Sequence, residues 1–264
     1  MVYPRISVIT PSFNQAGFLE QTIKSVIDQN YPNLEYLILD GGSTDGSRAL
    51  IKKYAAKYPK IIRWRSHHDK GQVTAINEGL KKATGDIIAY LNSDDYYLPD
   101  AFYQVADYFS RHPDRYWLVG NCRVSDPKLS WTFFLKQLWP IHIFPWALYI
   151  YNTVNQPAVF LTRSLVERVG KFDSRYHYAF DYDYWLRCQK LGLPGRVMQE
   201  LSVFRIHPGS KGSSGYTQQF QEDETVVRSY TRNKIVLAVH SLATRIITLP
   251  GYRFLKTATK PGIF

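Results

Sequence analysis

Residues 85–95 run Gly-Asp-Ile-Ile-Ala-Tyr-Leu-Asn-Ser-Asp-Asp, a stretch of strand formers that stops on an asparagine and two adjacent carboxylates, Asp94 and Asp95. Two carboxylates side by side repel each other and raise one pKa. A cation or solvating water holds them together at little cost. Carboxylate and carboxamide oxygens are hard ligands that suit magnesium or manganese, and such ions commonly arrive together with substrate phosphates. The alternative is a strand that ends in a polar turn. A cation is the more useful explanation at the carboxyl end of a buried strand, where open α/β sheets bind ligands.

The elements before this pair have a regular order. Ile6–Thr10 is a short β-branched strand that ends at the turn Pro11-Ser-Phe-Asn14. Leu19, Ile23, Val26 and Ile27 then recur at helical spacing. A second apolar run, Leu34–Leu39, ends at Asp40-Gly-Gly-Ser-Thr-Asp-Gly46. A helix over 47–58, a strand over 61–64, a helix over 74–82 and the strand 86–91 follow. Strands alternating with helices predict a parallel sheet with right-handed crossovers and helices on both faces. The turns Pro11–Asn14, Asp40–Asp45 and Asn92–Asp95 then follow the first, second and fourth strands and face one crevice.

Later segments are less regular. The pattern predicts helices over 99–111, 163–170 and 181–191, and strands near 117–121 and over 197–206. Gly209–Gly215 is a Ser/Gly-rich loop. Residues 131–151 are rich in Trp, Phe and Tyr but are interrupted by Pro140 and Pro145. A membrane-spanning helix needs ~20 apolar residues, so this stretch either packs on the core or forms an acceptor-side or interfacial surface. The tail 222–256 reads as mainly helical. It carries Arg228, Arg232, Lys234, Arg245, Arg253 and Lys256, with Ile235, Leu237, Val239, Leu242, Ile246 and Ile247 on an apolar side.

Composition narrows the class. The 264 residues are 45% hydrophobic, enough for a sizeable core. Cys122 and Cys188 are the two cysteines, which form neither a disulfide framework nor a zinc pattern and suit a cytoplasmic setting. The charged start runs directly into a strand, so no signal peptide is expected. The net charge of +11 suits phosphate-bearing substrates or anionic lipid. Nucleic acid is not expected as a partner, because no recognised binding motif or long basic run is present.

Seven segments in order resemble family 2 glycosyltransferases of the GT-A fold. They are Ile6–Asn14, Leu39–Gly46, Asp69-Lys-Gly71 with Asn77-Glu-Gly79, Ala83–Asp86, Leu91–Asp95, Phe180–Trp185 and Phe204–His207. The resemblance spans about residues 5–215. It implies an α/β, Rossmann-like, mostly parallel sheet with helices on both faces, plus a C-terminal helical tail. The implied organisation is a catalytic domain over 1–222, with a nucleotide-sugar half (1–98) and an acceptor half (99–222), followed by a helical extension over 223–264.

The resemblance also implies roles. Pro11, Ser12 and Asn14 would approach the nucleoside. Asp40 would accept a hydrogen bond from the base or ribose; the other reading for it is an Asx-turn or helix cap. Gly41 stands where many relatives carry a second Asp. Lys70 would meet a phosphate or stay solvated. The family's Asp-any-Asp metal motif is here Asn92-Ser93-Asp94, which puts the main metal contact on Asp94 with Asp95 and Asn92 in support. His207 would be a further metal ligand, and a neutral imidazole suits manganese better than magnesium. Arg205 would pair with the diphosphate, and Ser210 and Lys211 would fold over it. Asp181 would be the general base that deprotonates the acceptor hydroxyl, in a position where the family's Glu-Asp pair reads Phe180-Asp181. Asp183 would point away and support the helix.

The implied reaction is inverting, metal-assisted transfer from a nucleoside diphosphate sugar to a saccharide or lipid-linked acceptor. The basic tail would make a peripheral contact with the inner face of the cell membrane or pack on the catalytic domain. Two competing readings are a nucleotidyltransferase, which would carry a Gly-rich basic loop after the first strand, and a non-catalytic nucleotide or carbohydrate binding module at the membrane surface.

Overall fold

A computed structural model describes residues 3–125, 143–144, 146–207, 209–211 and 216–245. The aromatic stretch through residue 142, Pro145, Pro208, residues 212–215 and the tail from 246, with Arg253 and Lys256, lie outside the described residues.

One eight-stranded sheet has the order β3-β2-β1-β4-β7-β6-β8-β5. The first half is the expected alternation: β1 (Ile6–Ser12), α1 (Ala16–Ile27), β2 (Leu34–Asp40), α2 (Ser47–Lys57), β3 (Ile62–Ser66), α3 (Gln72–Lys82) and β4 (Ile87–Tyr90). These four strands pair in parallel. β1 runs further than the β-branched residues alone suggest, through Pro11 and Ser12, which pair with Leu39 and Asp40. Its ladder to β4 reaches only Ile9↔Tyr90, so Pro11 lies beyond it and its missing N–H breaks no bond on that side.

The second half contains β5 (Tyr96–Tyr97), α4 (Ala101–Arg111), β6 (Trp117–Val124), the short α5 (Ala147–Ile150), β7 (Val159–Thr162), α6 (Arg163–Val169), α7 (Phe180–Gln189) and β8 (Gly195–Phe204). β7 enters between β4 and β6, antiparallel to both. β5 is antiparallel to β8, while β6 and β8 are parallel. Six strands therefore run one way and two oppose them. The carboxyl ends of β1, β2, β4 and β8 lie on one edge.

The sheet separates two cores. Ile6 and Val8 pack with Leu19 and Ile23 of α1, Ile51 of α2 and Phe102 of α4. Ile9 and Leu39 pack on the other face with Ile76 of α3, Leu165 of α6 and Trp185 of α7. This is the period-2 alternation of a strand covered on both sides. Two further helices, α8 (Tyr216–Tyr230) and α9 (Lys234–Ala243), follow. Val226 and Val227 of α8 are fully buried in the second core. The boundary expected after residue 222 lies within α8 (Tyr216–Tyr230), a helix that packs on the second core. In α9, Leu237 packs on the core, whereas Ile235 and Leu242 are 74% and 56% exposed. Among the described residues, no helix is long and apolar enough to cross a membrane.

Candidate active site

Two adjoining cavities open along the carboxyl edge of the sheet. The larger, about 560 Å³, is lined by Pro11, Ser12, Gly41, Asp69 and Asp94 among others. The smaller, about 190 Å³, contains Asp181. Gln72, Asn92, Tyr178 and Lys211 line both cavities and form the wall between them.

Asp40 lies beneath the larger cavity and is fully buried. Its Oδ2 accepts bonds from Gly42 N (3.1 Å), Ser43 N (3.0 Å) and the Ser66 hydroxyl (2.6 Å). Its Oδ1 accepts the Ser43 hydroxyl at 2.5 Å. Both oxygens bond the loop, which is the Asx-turn arrangement, and Oδ2 also ties it to the end of β3 through Ser66. Gly42 has φ 87°, a left-handed angle that glycine adopts without steric strain. Asn14 is structural as well: its Oδ1 accepts Thr44 N (2.9 Å), and its own N–H donates to Ser43 Oγ (2.8 Å).

The larger cavity also includes residues that motif reasoning did not single out. Phe13 is 58% exposed on its rim, with His68 nearby. Asp69 is held by Arg65 (2.9 Å) and by the N–H of Gly71 (2.8 Å). A Cβ at Gly41 would stand 3.3 Å from Phe13 and 3.5 Å from an Asp69 oxygen. Asp69 therefore occupies the neighbourhood into which a side chain at 41 would project. Lys70, beside it, is exposed and away from the cavity lining.

The acidic pair divides its work. Asp94 faces the larger cavity, and its Oδ2 lies 3.1 Å from His207 Nε2. The His207 ring packs on Phe18 at 4.3 Å. Asp95 is 1% exposed and turns inward, where its Oδ1 accepts the Arg205 N–H at 2.9 Å. Burial pushes the Asp95 carboxyl well above the usual carboxylate range, and the Asp94 charge adds to this. The Thr22 hydroxyl ties down the loop: its single hydrogen is shared between the carbonyls of Ser93 (2.9 Å) and Asp95 (2.7 Å). The Arg205 guanidinium lies behind the site, over the rings of Phe18 (5.3 Å) and Tyr96 (4.8 Å), with one buried nitrogen lacking a hydrogen-bond partner. Ser210 donates to the His207 carbonyl at 2.8 Å and shapes the same turn.

Among the described residues, no three His, Cys, Asp or Glu side chains converge. Asp94 lines the cavity and His207 stands 3.1 Å from its carboxylate, so the pair offers one oxygen and one nitrogen. That donor set fits manganese or magnesium taking its remaining ligands from water and substrate phosphates.

Asn92 has a reason to be an amide. Its Nδ2 donates to Gln156 Oε1 (3.1 Å), while its Oδ1 accepts from Gln72 (2.7 Å). A carboxylate could not donate the first of these. Gln156 donates onward to the Tyr90 carbonyl (2.6 Å), and Lys211 Nζ reaches Gln72 Oε1 (3.1 Å) and the His177 carbonyl. The wall is thus one hydrogen-bonded chain. Burial lowers the Lys211 pKa to about 8, partly offset by the charges of Asp181 and Glu222.

Asp181 sits in the first turn of α7. This helix is buried nearly all round, and Asp181 and Arg187 are its only positions that are not. The turn is held from α8: Glu222 accepts the N–H groups of His177 (3.1 Å), Tyr178 (2.6 Å) and Ala179 (2.9 Å). Asp183 faces away, bonded to Arg187 (2.9 Å) and the Tyr230 hydroxyl (2.7 Å).

Residues 7–161, more than half of the chain, match the family described as Glycosyl transferase family 2. The chain belongs to that family. As a family 2 glycosyltransferase of the GT-A fold, it resembles TuaG of Bacillus subtilis, a protein named for teichuronic acid biosynthesis. That identity is 38% over 97 residues, 37% of this chain and 38% of TuaG. Its fold matches S. aureus TarS 1–349 in complex with UDP-GlcNAc, with a TM-score of 0.67 at 17% identity over 85% of this chain and 66% of that one. It also matches the mannosyltransferase PcManGT of Pyrobaculum calidifontis in complex with GDP-Man and Mn2+, with a TM-score of 0.64 at 18% identity over 98% of this chain and 80% of that one. In this glycosyltransferase, Asp181, His207, Lys211 and Glu222 all lie beyond the matched span.

Proposed function

We propose that this glycosyltransferase moves a sugar from a nucleoside diphosphate donor to a hydroxyl of a saccharide or lipid-linked acceptor, with inversion, in the building of a surface polysaccharide or glycolipid. The observation that carries the reading is the shared wall: Asp181 lines one cavity, and Asp94, with His207 against its carboxylate, lines the other. A donor in the larger cavity would set its anomeric carbon at Gln72, Asn92, Tyr178 and Lys211. An acceptor hydroxyl beside Asp181 would then attack from the face opposite the leaving diphosphate, and displacement from that side inverts the centre.

Asp181 acts as general base, taking the hydroxyl proton as the new bond forms. Lys211 balances negative charge at the junction of the cavities. Pro11 and Ser12 border the nucleoside, Phe13 offers a ring face to the base, and Asp40 acts indirectly by fixing the loop. Asp94 and His207 would hold a divalent cation, which when bound neutralises the departing diphosphate. The neighbours bound to UDP-GlcNAc and GDP-Man support the donor class. The exposed Ile235, Val239 and Leu242 of α9, next to Arg245, support a peripheral contact with the cytoplasmic face of a membrane.

The test is Asp181→Asn. We expect this variant to bind UDP with manganese as wild type does and to lose sugar transfer. Near-normal turnover would remove Asp181 from the role of base.

A further inference from the structure

The helices beyond the family match form a wall of the smaller cavity. α8 contributes Phe220 and Asp223, and α9 contributes His240. His240 is 3% exposed, deep for an imidazole on the last of the described helices. Its Nδ1 lies 3.0 Å from the Ile150 carbonyl. A carbonyl only accepts, so Nδ1 carries the proton and Nε2 keeps its lone pair. Burial lowers the imidazole pKa, so the ring stays neutral at pH 7. Nε2 is buried and has no hydrogen-bond partner. Buried acceptors are nearly always satisfied, and one left open beside a cavity points to a ligand.

We infer that His240 determines acceptor specificity, its Nε2 accepting a hydroxyl hydrogen from an uncharged sugar unit seated in the smaller cavity. The inference rests on the reading of that cavity as the acceptor side. His240 Nε2 and the Asp223 carboxylate are both acceptors, which call for a hydroxyl-rich ligand. Tyr178, Phe180 and Phe220 supply ring faces for the C–H face of a sugar. Asp181 and Asp223 against Lys211 leave one net negative charge, which disfavours a carboxylate or phosphate there. The cavity continues between α8 and α9, because Phe220, His240 and Thr244 also line a further hollow of about 180 Å³. That hollow gives the remainder of a longer acceptor a way out.

The experiment uses the full chain loaded with UDP and manganese, and saturation-transfer NMR with methyl glucoside, methyl mannoside, methyl galactoside and methyl glucuronide as probes. His240→Asn is the variant of choice, since an Asn amide can still donate to the Ile150 carbonyl while the atom equivalent to Nε2 is gone. We expect at least one neutral glycoside to bind the wild type and the glucuronide to bind none or far more weakly. The affinity for the neutral probe should drop about tenfold in His240→Asn, the scale of one lost hydrogen bond, with UDP affinity unchanged. Asp223→Asn should weaken the same probe and serves if His240→Asn does not fold. Glucuronide binding equal to the neutral probes, unchanged neutral binding in both variants, or UDP binding with no glycoside bound by the wild type would each overturn the inference. Failure of the broader reading looks different: transfer would persist in Asp181→Asn whatever His240 does.

Discussion

Glu222 offers the most demanding test of how the site is held. It belongs to α8, outside the family match, yet its carboxylate accepts three consecutive N–H groups just before α7, at 3.1, 2.6 and 2.9 Å. Those groups precede the turn that carries Asp181. Glu222→Ala leaves all three donors to water or without partners. At about 1 kcal/mol net per bond, for a partly exposed carboxylate, the loss is about 3 kcal/mol. A chain of this size loses roughly 2–4 °C of melting temperature per kcal/mol, so the midpoint should fall by roughly 6–12 °C. Glu222→Gln keeps one acceptor oxygen and should fall between the two. Because Asp181 sits on the loosened turn, turnover should drop in Glu222→Ala while UDP affinity holds. Thermal melts by circular dichroism, with calorimetric UDP titration and a transfer assay on the same preparations, measure all three quantities. If Glu222→Ala melts within about 2 °C of wild type with unchanged turnover, the three bonds contribute little and the positioning argument is wrong.

Two further outcomes follow from the same geometry. Asp94→Ala, and His207→Ala in the same direction, should weaken manganese-dependent UDP binding by about tenfold or more while leaving metal-free UDP binding unchanged; equal titrations with and without manganese for wild type and variants would take both residues out of the metal site. Transfer should decline as pH rises through about 8, where Lys211 loses its proton, and Lys211→Met should lack that alkaline limb. The stability effect of Lys211 runs the other way. Its folded pKa lies below the unfolded value of about 10.4, so between these pH values the unfolded chain holds more protons and this group makes stability rise with pH. A melting temperature of Lys211→Met that tracks wild type across that window would contradict the assignment.

The sequence by itself carried the parallel first half of the sheet. Strand and helix periods, together with turns that interrupt them at Pro11, Asp40 and Asn92, are local properties, and a parallel alternation leaves few ways to arrange the loops. It also flagged Asp94, His207 and Asp181, whose loops meet in the folded chain. Other features were invisible to local pattern. β7 is four residues long and earns its place only by pairing with β4 and β6. Asp94 and Asp95 are the same residue type in adjacent positions, and only the direction of each side chain separates a cavity-facing carboxylate from a buried acceptor of the Arg205 N–H. Arg205 lies over the rings of Phe18 and Tyr96, partners more than a hundred positions away that local pattern does not reveal. Asn92 looked like a departure from a motif until Gln72 and Gln156 showed that both of its functions, donor and acceptor, are used. Glu222 and His240 lie in helices with no motif at all. Their roles depend on contacts across 43 or more positions with the start of α7 and across 90 with Ile150. Such contacts exist only once α8 and α9 have buried their apolar sides on the catalytic domain.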